Sequence, residues 1–243
     1  MASASAFANI IKANPSLGAI FNYDNFRLAP ALDAKASSAF LHPNEQLEQA
    51  LRNSHAKGLP PISVGRMAAQ WLGVLTRVMG ARSVLEVGTL GGYSSIVFAQ
   101  AGAHVTSIEI DPKHRTVALE NTAGLDVEII LGAALDVLPR LHAEGRTFDL
   151  IFIDADFEDQ GEHFDWAVKL AKKGGGVLLD DVVPTMVVRG EVVFKREGGV
   201  EIKKETVLER IGRDRRVRAG LVPVVQCVGE EPVMGGFVLA VVE

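Results

Sequence analysis

The stretch "SVLEVGTLGGYSSIVFAQAG", Ser83 to Gly102, decides the fold. An apolar run, Ser83 to Val87, breaks at a glycine-rich loop, and a helix-like run, Tyr93 to Gly102, follows at once. A short apolar run bounded by glycines reads as a buried strand. Strand, glycine loop and helix together let a ligand approach backbone amides at a helix N-terminus.

Downstream the alternation repeats. "HVTSIEI" (His104 to Ile110) reads as a strand, and Asp111-Pro112 reads as an N-cap followed by proline at the first helical position. "VEIIL" (Val127 to Leu131) is a strand, and "ALDVLPRLHAE" is a short helix despite Pro139. "FDLIFID" (Phe148 to Asp154) is a strand, "HFDWAVKLAKKGG" (His163 to Gly175) a helix with lysines in its last turn, and "GVLLDD" (Gly176 to Asp181) a strand. Five strands alternating with helices predict a parallel sheet covered on both faces. After Asp181 a polar helix, about Lys203 to Arg218, precedes "LVPVVQCV" and "GGFVLAVV", which predict an antiparallel hairpin on the sheet edge. The fold class is therefore α/β, a mostly parallel, Rossmann-like sheet of seven strands.

Upstream, "NEQLEQALRNSHAKG" (Asn44 to Gly58) reads as a polar amphipathic helix ending at a glycine. "LPPISV" is a stiff extended entry to a helix from Ser63 to about Met79, with Ser63 as its cap and Met67, Trp71, Leu72, Leu75 and Val78 on one face. Residues 1–60 form an arm or cap on a single domain of 243 residues. The first 23 residues lack acids and are rich in Ala and Ser, but Lys12 is their only basic residue. A cytoplasmic protein is expected, with a mitochondrial address as the alternative.

Composition is that of an ordinary soluble globular chain, at 48% hydrophobic and 23% charged residues. A net charge of −5 gives no reason to expect nucleic acid or anionic membrane as a partner, and no apolar run is long enough to span a bilayer. The lone cysteine, Cys227, forms no internal disulfide and reads as a small core residue.

In such a sheet, ligands bind at the carboxyl ends of the strands, and acids end four of the five. The glycine loop is not G-x-G-x-x-G, because Leu90 interrupts it. Glu86 would repel a pyrophosphate there and suit an ammonium group, while Glu109 stands where an acid commonly pairs with ribose hydroxyls. A ligand with an amine, a ribose and an adenine but no phosphate fits, and S-adenosylmethionine is such a molecule. Asp154, Asp180 and Asp181 converge from neighbouring strand ends. Unpaired, they would repel and raise one another's pKa values. A hard divalent cation removes the conflict; all-oxygen ligands suit Mg2+ first, with Mn2+ or Ca2+ as alternatives. The other reading of the Asp pair is a turn cap.

With these residues in view, the chain resembles the cation-dependent, catechol and caffeoyl-CoA type of S-adenosylmethionine O-methyltransferases. The resemblance runs from about Leu59 and rests on "LPPISV", "VLEVGTLGGYSS", "SIEIDPKH", "GAALDVLPRL", "FDLIFIDAD", "GGGVLLDDVV" and "GGFVLAVV". It implies a class I methyltransferase fold. It implies that Glu86, Gly88, Tyr93 and Ser94 hold the methionine end of the cofactor, with Ser63 and Val64 closing over it. Glu109 would hold the ribose, Ala134 would line the adenine, and Asp154 and Asp156 would lie beside the cofactor. Asp154, Asp180 and Asp181 would bind the metal, which would chelate two vicinal hydroxyls of a small aromatic substrate. A homodimer is also implied.

Two positions depart from the family. A lysine read as a base is replaced by Phe157, and the usual Asp-Asn metal pair is Asp180-Asp181. The extra carboxylate is expected to strengthen cation binding and to help accept the proton, which makes Asp154 and Asp181 the catalytic candidates. Glu158, Asp159 and His163 are other candidate bases; the first two read as solvated loop acids and His163 as structural or exposed. Arg189 to Arg218 holds ten basic residues against six acidic ones. It reads as a solvated face, or alternatively as a patch for a phosphate-bearing substrate. Two other functions fit less well: a non-catalytic S-adenosylmethionine-binding protein, and a nicotinamide-dependent oxidoreductase.

Overall fold

The computed structural model describes residues 28–194, 199–228 and 231–243. The N-terminal segment read for targeting and the side chain of Cys227 lie outside the described residues.

Three helices precede the sheet: α1 (Ala29–Phe40), α2 (Glu45–Ala56) and α3 (Arg66–Val78). Asn44 caps α2, its side chain accepting from the Leu47 amide. Then come β1 (Ser83–Val87), α4 (Tyr93–Gln100), β2 (His104–Glu109), α5 (Pro112–Asn121), β3 (Val127–Leu131), α6 (Ala134–Ala143), β4 (Phe148–Ile153), α7 (Gln160–Leu170) and β5 (Ala171–Leu179). Asp111 caps α5 through the Lys113 and His114 amides, with Pro112 in the first turn. The chain continues through α8 (Val182–Val188), β6 (Val192–Phe194), β7 (Val200–Ile202), α9 (Val207–Arg213), β8 (Val217–Val228) and β9 (Glu231–Val242).

The main sheet has seven strands in the order β3-β2-β1-β4-β5-β9-β8. The first five are parallel, and β9 and β8 are antiparallel. This is the predicted Rossmann-like topology with its antiparallel edge. The strand order reverses beside β1, so the β1 and β4 loops flank the crevice where ligands bind.

Because a parallel sheet buries both faces, its central strands are mostly apolar, with Glu86, Thr106, Ser107 and Glu109 as buried polar exceptions. One face packs Leu85, Ile151, Ile153, Val177 and Leu179 against Leu138, Phe164 and Ile211. The other packs Val84, Val105, Leu150 and Phe152 against Leu72, Val97 and Phe98. Phe98 and Phe152 meet edge to face with centroids 5.7 Å apart.

Several expectations are corrected. The α7 helix ends at Leu170, and Lys172 and Lys173 belong to β5. The register of β5 on β4 shifts between Phe148 and Leu150, which absorbs the extra glycines. Lys172 serves not as a helix-end cation but as an ion-pair partner of Asp149 at 2.7 Å. The residue capping α3 is Gly65, not Ser63. On α3 the buried residues are Ala69, Leu72 and Thr76; Val78 is 80% exposed, and Trp71 is partly exposed and lies on Phe237 at 4.8 Å. The polar helix of the last third is only Val207–Arg213, because β8 already starts at Val217. Among the described residues, no helix is long and apolar enough to cross a membrane.

Candidate active site

The glycine loop after β1 is shaped by close contact with β4. Gly88 has φ +97°, and a Cβ there would lie 1.9 Å from the Asp154 carbonyl oxygen. Only glycine satisfies both conditions. The Asp154 amide in turn donates to Val87 at 2.9 Å, so the two loops are locked together at the strand ends.

Glu109 fixes the rest of this loop. Its carboxylate accepts from the Thr89 amide at 3.2 Å, the Leu90 amide at 2.7 Å and the Asp111 amide at 2.9 Å. These bonds hold Leu90 at φ +51°, a conformation in which a branched side chain is strained. Glu109 is thus the organiser of the loop as well as a wall of the cavity. The amide contacts could not be read from sequence spacing.

Glu86 is wholly buried beneath the loop. It accepts from Ser107 at 2.6 Å and from Ser95, while its Oε1 has no partner among the described residues. Burial raises its pKa, against the hydrogen bonds of Ser107, Ser94 and Ser95. Glu86 does not line the cavity, unlike Ser94, which hydrogen-bonds to it.

A cavity of about 870 Å³ opens at the strand ends. Ser63, Val64, Gly88, Tyr93, Ser94, Glu109, Ala134, Asp154 and Asp156 all line it. The same cavity reaches Phe157 and Asp181. Leu59, Pro60 and Ile62 also line it, so the extended "LPPISV" entry contributes part of its wall.

Asp154, Asp180 and Asp181 stand at the ends of β4 and β5, but their ligand atoms do not come within 4.8 Å of one another as a group of three. Burial pushes the Asp154 carboxyl well up, and the charges of Asp180, Asp181 and Glu86 add to the shift. Burial, with the charge of Asp181, raises Asp180 to about 6, against the Asp181 amide that donates to its Oδ1. Burial also raises Asp181, whose backbone sits at φ +52° at the start of α8. None of the three has a cationic partner among the described residues. Asp180 does not line the cavity, and its carbonyl accepts from Gln160 at 2.9 Å. The donor set, all carboxylate oxygen and mutually repelling, fits a hard cation.

Two features were missed by sequence reasoning. Arg189 donates to the carbonyl oxygens of Phe157 at 3.1 Å and of Glu158, and pairs with Glu191 at 2.8 Å. It clamps the loop that carries Phe157 into the cavity. Asp156, Asp159 and His163 come together with ligand atoms within 4.8 Å of one another, and among the described residues they are the group of three that does so. Of the two readings of His163, structural or exposed, its 2% exposure leaves the structural one.

Among the described residues, most cations of the basic segment are paired. Arg210 pairs with Glu162 and Asp165, Arg213 with Glu205, Arg216 with Asp214 and Lys203 with Glu201. Exposed pairs of this kind match a solvated face more than a phosphate patch.

Comparison with known proteins gives the site its context. Residues 35–229 match the family model described as O-methyltransferase. The chain is 35% identical over 241 residues to O-methyltransferase imqG of Aspergillus flavus, covering 95% of this chain and 92% of that protein. It is 34% identical to a catechol O-methyltransferase of Mycobacterium tuberculosis, over 88% of this chain and 96% of that one. Among solved structures, an O-methyltransferase from Bacillus cereus in complex with SAH superposes with TM-score 0.75 at 32% identity, covering 88% and 97% of the two chains. TomG from Streptomyces achromogenes, an O-methyltransferase of tomaymycin synthesis in complex with SAM, gives 0.72 at 31%, covering 87% and 96%. A glycine loop tied to Glu109, a cavity shared with strand-end acids and these likenesses over nearly the whole chain lead to one conclusion: this chain belongs to the O-methyltransferase family.

Proposed function

We propose that this chain transfers the methyl group of S-adenosylmethionine to one hydroxyl of a small aromatic substrate with two vicinal hydroxyls, using a divalent cation held by Asp154, Asp180 and Asp181. The observation that carries the reading is a single cavity, lined at one side by Gly88, Ser94, Glu109 and Ala134 and at the other by Asp154 and Asp181. Donor and acceptor therefore share one enclosure, as direct transfer requires. Its volume suits a nucleoside and a small ring together.

When bound, the cation would draw two vicinal oxygens to the acids and lower the pKa of a hydroxyl. The chain's own residues do the rest. The loop amides and Glu109 orient the donor through its ribose, and Ser63 and Val64 close over it. The acceptor oxygen forms a bond to the methyl carbon as the sulfonium S–C bond breaks, giving a methyl ether and S-adenosylhomocysteine. The hydroxyl proton leaves to the Asp181 carboxylate, which lines the same cavity. Phe157, held by Arg189, supplies a flat apolar wall where the family's lysine would stand.

The substrate class is tested by offering 1,2-, 1,3- and monohydroxy aromatics with labelled S-adenosylmethionine. Transfer to the vicinal diol alone is expected. Equal transfer to the 1,3-diol or the monophenol would remove chelation from the account.

A further inference from the structure

We propose that Asp156, Asp159 and His163 form a second metal site, which takes a borderline divalent cation such as Co2+, Zn2+ or Ni2+. It is distinct from the three strand-end acids and does not depend on the assigned reaction.

The site begins with sequence spacing. Asp159 immediately precedes α7 and His163 lies in its first turn, four residues on, so both side chains stand on one helix face. Asp156 arrives from the loop after β4. Its Oδ1 already accepts the amides of Glu158 at 3.0 Å and Asp159 at 2.9 Å, which fixes the carboxylate; Oδ2 has no hydrogen bond among the described residues. One ligand atom from each of the three lies within 4.8 Å of the others. Ligands about 2 Å from a common ion lie no more than about 4 Å apart, so the three side chains would draw together slightly on binding one.

The independent sign is His163. It is 2% exposed, and Nδ1 is closed to solvent with no hydrogen-bond partner among the described residues. An unpaired ring nitrogen so deep in a fold costs free energy unless something meets it. Two carboxylates within reach are acceptors, and would satisfy a ring N–H but not a lone pair. A cation at the cluster would be met by one ring nitrogen of His163 and by the two acids together. Burial lowers the His163 pKa, although Asp156, Asp159 and Glu162 oppose it, so the neutral ligating form is favoured.

The donor set separates this site from the first. Mg2+ and Ca2+ prefer all-oxygen sites, whereas an imidazole selects later transition metals. The two sites should therefore load different ions from one mixture. Asp156 also lines the main cavity, so the second cation would sit in its wall, beside the cofactor side.

The test uses the full chain, stripped of metal and titrated with Co2+ in excess Mg2+, read by visible absorption and by equilibrium dialysis. One Co2+ per chain is expected to remain bound with its visible bands. Asp159→Asn and His163→Gln should each weaken it by at least roughly tenfold, since even outer partners of metal ligands are worth that much. Asp181→Asn, which alters the other site, should leave Co2+ binding unchanged. If His163→Gln fails to fold by thermal melting, Asp159→Asn at the helix start still decides. Failure of the wild-type chain to retain Co2+ over Mg2+ would overturn the proposal. So would Co2+ binding that is lost in Asp181→Asn and untouched in Asp159→Asn.

Discussion

Replacing Asp180 by asparagine should stabilise the cation-free protein while removing its cation site. Asp180 is raised from 3.8 to about 6, chiefly by burial. A shift of that size corresponds to about 3 kcal/mol. The folded state binds this proton more tightly than the unfolded chain does. The group's favourable contribution is therefore complete only below about pH 4 and is lost as pH rises through about 6. Above that window the ionised Asp180 opposes folding, and the fold tolerates it for the sake of function. Asparagine keeps the shape and the oxygen that accepts the Asp181 amide at 2.8 Å, without the charge. In EDTA at about pH 8, Asp180→Asn should raise the melting temperature by roughly 6–10 °C for a chain of this size. At about pH 4 the two proteins should melt together. Mg2+ at the higher pH should raise the wild type and leave the variant where it was. A variant that melts at or below the wild type in EDTA at about pH 8, or whose gain persists at about pH 4, would refute the reasoning.

Other predictions follow from the same geometry. Gly88→Ala would press a Cβ to 1.9 Å from the Asp154 carbonyl oxygen at φ +97°, so it should cost at least about 3 kcal/mol and abolish cofactor binding in a titration with S-adenosylhomocysteine. Glu109→Gln keeps one oxygen for the Thr89 and Leu90 amides but sets an amide nitrogen against the Asp111 amide, which should weaken the same binding by about tenfold or more. Asp181→Asn should weaken Mg2+ and lower kcat/KM by about tenfold or more, and Phe157→Lys in that background should recover part of the loss by restoring a base.

Much of this architecture was legible because strands and helices here obey simple periods. The strands from Ser83 to Ile153 are apolar, short and bounded by glycines or acids, and each was placed within a residue or two. The acids at their ends were found because an apolar run that stops at Asp154 or Asp180 announces the carboxyl edge of the sheet. The β5 strand was misplaced at its start because lysines followed by glycines look the same at a helix end and in a shifted strand; the pairing of Lys172 with Asp149, 23 residues away, decides. The α3 face was misjudged because Trp71 finds Phe237, on a strand that no local pattern connects to it. Contacts of this range also hid the Arg189 clamp and the amide ties of Glu109. His163 looked ordinary because nothing in a sequence says that a ring nitrogen will be buried without a partner.

The central claim is that strand-end acids and a glycine-loop cofactor site work together in one cavity. The most direct test incubates the metal-stripped protein with labelled S-adenosylmethionine and a panel of catechols, with and without Mg2+, Mn2+ or Ca2+. The account predicts methyl transfer that appears only with added cation and is absent in Asp154→Asn. Transfer that proceeds equally in EDTA, or cofactor binding with no transfer to any catechol under any cation, would contradict it.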